Sequence, residues 1–100
     1  MAPIDVHELS ERLIDGKRLN LLDVREVIEF HTYNIGGTNI PLSKVAENST
    51  ILSYNKTDEI IVVCRAGIRS KTACLILMED GYRHVRNLTG GLMALQKLNY

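Results

Sequence analysis

The sequence predicts an α/β fold, with helices layered around a mostly parallel sheet. Three observations carry this expectation. Helical patterns alternate with short apolar runs along the chain. The segment Glu59-Ile60-Ile61-Val62-Val63 holds four consecutive β-branched residues and is apolar at every one of them, as a strand buried on both faces should be. Gly16 and Gly81 stand where two of the helical patterns stop.

The elements follow in order. Asp5 followed by Glu8 makes a capping-box-like start, and Val6, Leu9 and Leu13 recur at helical spacing, so residues 6–15 are expected to form a helix. Leu19 to Val24 is too short and too apolar for an independent helix and reads as a buried strand. A brief helix is expected over residues 26–31, a turn at Ile35-Gly36-Gly37, and an extended piece over 38–40 before Pro41. Ser43 is placed to cap a short helix reaching Glu47. After the 59–63 strand, residues 69–80 form the clearest helix of the chain. Residues 84–88 read as a last strand and 92–98 as a last helix, entered through Gly90-Gly91.

Size and composition narrow the function. One hundred residues, 45% of them hydrophobic, make a single domain over 1–100 with a core that needs no disulfide or metal. Net charge is zero, which removes the basic footprint of a nucleic-acid binder. No apolar run reaches the ~20 residues of a membrane span, and the N-terminus lacks the charged and apolar regions of a signal peptide. Cys64 and Cys74 are too few for a disulfide scaffold, and His7, His31 and His84 are scattered, so no metal site is expected. The expectation is a cytoplasmic protein whose thiols stay reduced.

The chemistry concentrates in Cys64-Arg65-Ala66-Gly67-Ile68-Arg69-Ser70. Cys64 follows the best strand directly, and the best helix begins about five residues later. Ligands of open α/β sheets bind outside the carboxyl ends of strands. The helix start offers unpaired N–H groups and partial positive charge. Arg65, Arg69 and Lys71 add three cations, with no acid between Cys64 and Lys71. Both effects favour thiolate over thiol. A loop of converging amides would also hold an anion, and Gly67 is available for an unusual backbone angle. The same placement also suits a plain core cysteine beside a solvated cationic helix start. Cys74, among Ala73, Leu75, Ile76 and Leu77, reads as structural.

Several ordered motifs resemble the rhodanese-like sulfurtransferases. They are Leu21-Leu22-Asp23-Val24-Arg25-Glu26 with Glu29-Phe30, then Asn39-Ile40-Pro41-Leu42, then Ile61 to Ser70, and finally Asn87-Leu88-Thr89-Gly90-Gly91. Each is weak alone, but their joint order and spacing over nearly the whole chain are specific. The resemblance implies a three-layer sandwich with helices on both faces of the sheet. It implies that Cys64 becomes a persulfide, that residues 65–69 supply amides around the outer sulfur, and that Arg65 and Arg69 face an anionic donor such as thiosulfate. Asp23 and Arg25 match an acidic and a basic position near the cleft, used there largely for structure, although Asp23 would also serve as a helix cap. No organic cofactor is implied. The implied partners are a small anionic sulfur donor, a thiol or cyanide acceptor, and a sulfur-relay protein.

Cys64 and Arg69 are separated by four residues. The related cysteine phosphatases use five, which fits phosphate, so the resemblance favours sulfur chemistry over phosphatase or arsenate reductase chemistry. A persulfide carrier serving only a protein partner is the alternative to a turning-over enzyme. The chain departs from the common pattern at Tyr33-Asn34-Ile35, where many relatives have Gly-His-Ile, and at Leu95, where they have Trp. The first variant resembles rhodanese segments fused to adenylating enzymes.

Overall fold

The computed structural model describes residues 2–48 and 52–98. Nine elements follow one another: α1 (Val6–Ile14), β1 (Leu21–Asp23), α2 (Val27–Thr32), β2 (Thr38–Asn39), α3 (Leu42–Asn48), β3 (Glu59–Val63), α4 (Ile68–Glu79), β4 (His84–Asn87) and α5 (Gly91–Gln96). The strands form one sheet in the order β2-β1-β3-β4, and every pairing is parallel. Ile4 adds a parallel bridge to Leu88, extending the sheet by one residue beyond β4.

Strand periodicity divides the core into two sides. Leu22, Ile60, Val62 and Cys64 face one way and pack with Val45 of α3 and Ala73, Cys74 and Leu77 of α4. Leu21, Ile61 and Val63 face the other way and pack with Leu9 of α1 and Leu92 and Leu95 of α5. The result is the α/β sandwich expected from the sequence, with helices on both faces. Ile60 to Val63 have no exposed surface, so each side chain gains about 1.5–3 kcal/mol from burial.

Local expectations hold with instructive differences. Asp5 caps α1, accepting from the Glu8 N–H at 2.8 Å. The Glu8 carboxylate does not return the bond, because it pairs with Arg86 at 2.7 Å. Helix α3 starts at Leu42, so Ser43 lies inside its first turn rather than capping it. The expected 19–24 strand pairs with its neighbours only over Leu21–Asp23, although the Val24 N–H still donates to Val63 at 3.0 Å. Helix α4 begins at Ile68, one residue earlier than expected, directly after Gly67 at φ +92°. Helix α5 runs Gly91–Gln96 instead of 92–98. Among the described residues, no helix is long and apolar enough to cross a membrane.

Candidate active site

Cys64 leaves β3 on the α4 side of the sheet, and the turn through Arg65, Ala66 and Gly67 delivers the chain into α4. Gly67 makes the turn possible, since φ +92° is a conformation that side chains with a Cβ rarely adopt. The turn folds back over its own cysteine. The Gly67 N–H donates to Cys64 Sγ at 3.1 Å, and the Ser70 N–H donates at 3.3 Å. The Ser70 Oγ lies 3.2 Å from the same sulfur. Cys64 itself is 1% exposed.

Burial opposes ionisation of this thiol and is the largest single influence on it. The Ser70 hydroxyl and the N–H groups of Ser70, Gly67 and Ala66 outweigh that burial and hold Cys64 below the ordinary thiol range. Cys74 shows the other outcome. It is fully buried in the second turn of the helix, and burial pushes its thiol up to about 12.

The loop is braced from three sides. From α2, the Glu29 carboxylate takes both guanidinium nitrogens of Arg69, at 2.6 and 3.0 Å. That pairing holds Glu29 well below its usual range, at about 2. From α5, the N–H groups of Leu92 and Met93 donate to the carbonyls of Cys64 and Arg65, both at 2.9 Å. This approach requires Gly91, because a Cβ there would sit 2.3 Å from the Arg65 carbonyl oxygen. From β4, the Asn87 amide nitrogen donates to the Gly67 carbonyl at 3.1 Å, and its oxygen accepts from the Ser70 hydroxyl.

Behind α2 stands a buried ion pair. Asp23 has no exposed surface, and its carboxylate receives the Arg25 guanidinium at 2.7 Å. The Arg25 guanidinium also donates to the Tyr33 carbonyl at 2.6 Å and the Glu29 carbonyl at 3.3 Å. Asp23 therefore anchors Arg25, Arg25 anchors the end of α2, and α2 presents Glu29 to Arg69. A cleft of about 310 Å³ lies beside the loop, with Arg25, Arg65, Ile28, Tyr33 and Met93 in its walls.

The match to known proteins agrees with this architecture. The family model described as the Rhodanese-like domain covers residues 5–98. The chain belongs to the rhodanese-like family. It is 34% identical over 92 residues to a protein named sulfurtransferase from Allochromatium vinosum, an alignment spanning 91% of this chain and 84% of that one. It is 32% identical over 90 residues to the putative sulfur carrier protein YrkF of Bacillus subtilis, covering 89% of this chain but only 48% of that relative. The human single-domain sulfurtransferase TSTD1 superposes with a TM-score of 0.81 at 25% identity, covering 97% of this chain and 96% of that one.

In this rhodanese-like domain the loop residues expected from the sequence come together, but with different duties. Helix-start N–H groups and three cations were both expected to favour the thiolate. The N–H groups do bond the sulfur, joined by the Ser70 hydroxyl, whereas Arg69 is bound to Glu29. Arg65 is exposed and lines the cleft. Asp23 caps no helix: its carboxylate accepts from the Arg25 backbone N–H at 3.0 Å and from the Arg25 side chain. Two contributors were not singled out as site residues, Glu29 and Asn87. Both stood inside motifs that carried the family resemblance, which was the available signal.

Proposed function

We propose that this protein is a sulfurtransferase that moves sulfane sulfur from thiosulfate or a persulfide donor to a thiophilic acceptor through a Cys64 persulfide. The observation that carries the reading is the focus of Gly67, Ser70 and Ala66 N–H groups on one sulfur at the end of a buried strand. These groups favour the thiolate, the form that attacks. The Cys64 thiolate attacks the outer sulfur of the donor. With thiosulfate, a sulfur–sulfur bond forms to Cys64 as the donor's own breaks, and sulfite leaves with the electron pair. Cyanide or an acceptor thiolate then attacks the outer sulfur, and the Cys64 thiolate is regenerated. The same amides receive the charge of the persulfide. Arg65, at the mouth, would draw in an anionic donor. Relatives bearing the names sulfurtransferase and sulfur carrier support the reading.

Intact-mass measurement tests it. Incubation with thiosulfate should add one sulfur atom to the chain, and cyanide should remove it as thiocyanate. A chain that never gains sulfur from thiosulfate or from a small persulfide would overturn the enzyme reading.

The second reading is a persulfide carrier that serves a protein partner in a sulfur-insertion pathway, favoured by the Bacillus relative named a sulfur carrier. It predicts loading from a desulfurase protein while turnover with small donors stays negligible.

A further inference from the structure

Asn87 ends β4, is buried, and joins two of the residues whose N–H groups aim at Cys64, Gly67 and Ser70. Its orientation is forced. The Gly67 carbonyl can only accept, so the amide nitrogen must face it, and the amide oxygen is left to face Ser70. Ser70 is fully buried, and its Oγ touches both Asn87 Oδ1 and, at 3.2 Å, Cys64 Sγ. A serine hydroxyl carries one hydrogen. Given to Asn87, it leaves an oxygen lone pair toward sulfur, which suits a thiol S–H. A thiolate or persulfide anion needs that hydrogen itself. When Cys64 ionises, its proton leaves to solvent and the Ser70 O–H turns from Asn87 to sulfur. Two buried oxygens then face each other with no hydrogen between them, at a cost the thiol form does not bear.

We propose that Asn87 is a positioning residue that competes with Cys64 for the single hydroxyl hydrogen of Ser70 and so sets how readily that sulfur becomes nucleophilic. The inference rests on Cys64 as the reactive sulfur of the proposed function. Charged groups around the sulfur do not confound it. From α4, Arg69 is an arginine held charged by Glu29, and Cys74 titrates only near 12. Glu29 of α2 titrates near 2. From the loop and the first turn of α4, Arg65 and Lys71 are exposed, and β1 contributes the closed Asp23–Arg25 pair.

The test is the pH dependence of Cys64 alkylation by iodoacetamide in Asn87→Leu and Asn87→Asp. Both variants lose the donor to the Gly67 carbonyl, so any loosening of the loop is common to them. They differ in accepting power. Leucine accepts nothing, which releases the Ser70 hydrogen to sulfur, and the alkylation midpoint should fall by about 0.5–1 unit. Aspartate accepts more strongly and adds a like charge, and the midpoint should rise by about 1 unit or more. In a Ser70→Ala background the leucine effect should vanish. Shifts of the same sign in both variants, or no shift in Asn87→Leu, would overturn the proposal. Should Asn87→Leu not fold, the wild-type chain decides. The Asn87 side-chain amide resonances should move with the Cys64 titration midpoint, and resonances that stay still through it overturn the idea. Alkylation needs no sulfur donor, so a chain that obeys these shifts yet never takes sulfur from thiosulfate or from a small persulfide would sink the enzyme reading alone.

Discussion

The two cysteines of this chain lie in the same hydrophobic cluster, and neither is exposed by more than 1%. By burial alone they should behave alike. Yet Cys64 lies below the ordinary thiol range, and Cys74 is pushed up to about 12. The difference is what the backbone offers the sulfur. Cys74 sits inside α4, where N–H groups are spent on the helix itself. Cys64 follows β3 and faces the start of α4, where N–H groups have no carbonyl to bond and turn to sulfur instead. Burial makes a thiol inert unless donors are supplied with it, and then the same burial strengthens each donor's effect.

The largest expected effect is from Cys64→Ser, which should abolish sulfur loading by intact mass while Cys74 remains in place. Loading at the wild-type rate would remove Cys64 from the mechanism and erase the contrast. Alkylation gives the next test. At neutral pH the folded chain should take one carbamidomethyl group, on Cys64, and take the second only after unfolding in guanidinium. Two adducts on the native chain would mean that Cys74 is neither enclosed nor suppressed.

Bracing of the loop should show next. The folded Glu29 carboxyl lies near 2, below its ordinary 4.5, so its pairing with Arg69 contributes stability above about pH 4.5 that is lost as pH falls toward 2. Glu29→Gln should flatten the stability profile over that window and lower the rate of Cys64 alkylation modestly. A profile identical to wild type would show the Glu29–Arg69 pair to be worth nothing, as exposed pairs often are. The smallest effect belongs to Cys74→Ala. It should cost about 1–2 kcal/mol in urea unfolding, for the cavity left by one sulfur, and leave sulfur loading unchanged. Slower loading would give Cys74 a role in the chemistry.

Much of the molecule was legible because its signals are local. The β-branched run Ile60 to Val63 announced a strand covered on both faces, and all four residues are fully buried. Gly67 announced the turn in which it takes positive φ, and Asp5 announced the cap of α1. The end of that strand, the start of the next helix and Cys64 between them pointed to the candidate site. Ser43 was misplaced as a cap because the residue types that cap a helix also occur one step inside it, and only the backbone path distinguishes the two.

What stayed hidden joins residues far apart in the chain. Arg69 reads from the sequence as a cation free to face a donor, but Glu29, 40 residues earlier, holds its guanidinium. Asn87 stood in a motif without a role until β4 was placed beside β3, within reach of Ser70 and Gly67. The Glu59 carboxylate, at the start of the best strand, meets Arg12 of α1 and Arg86 of β4, and Arg86 in turn holds Glu8. The sequence by itself determined the elements and the buried faces and singled out Cys64 as the candidate nucleophile, since propensity, periodicity and turn chemistry act over a few residues. Only the tertiary structure decided which groups bond that cysteine and which charges are spent elsewhere. Those partners depend on the strand order β2-β1-β3-β4, which packing selects and no local pattern encodes.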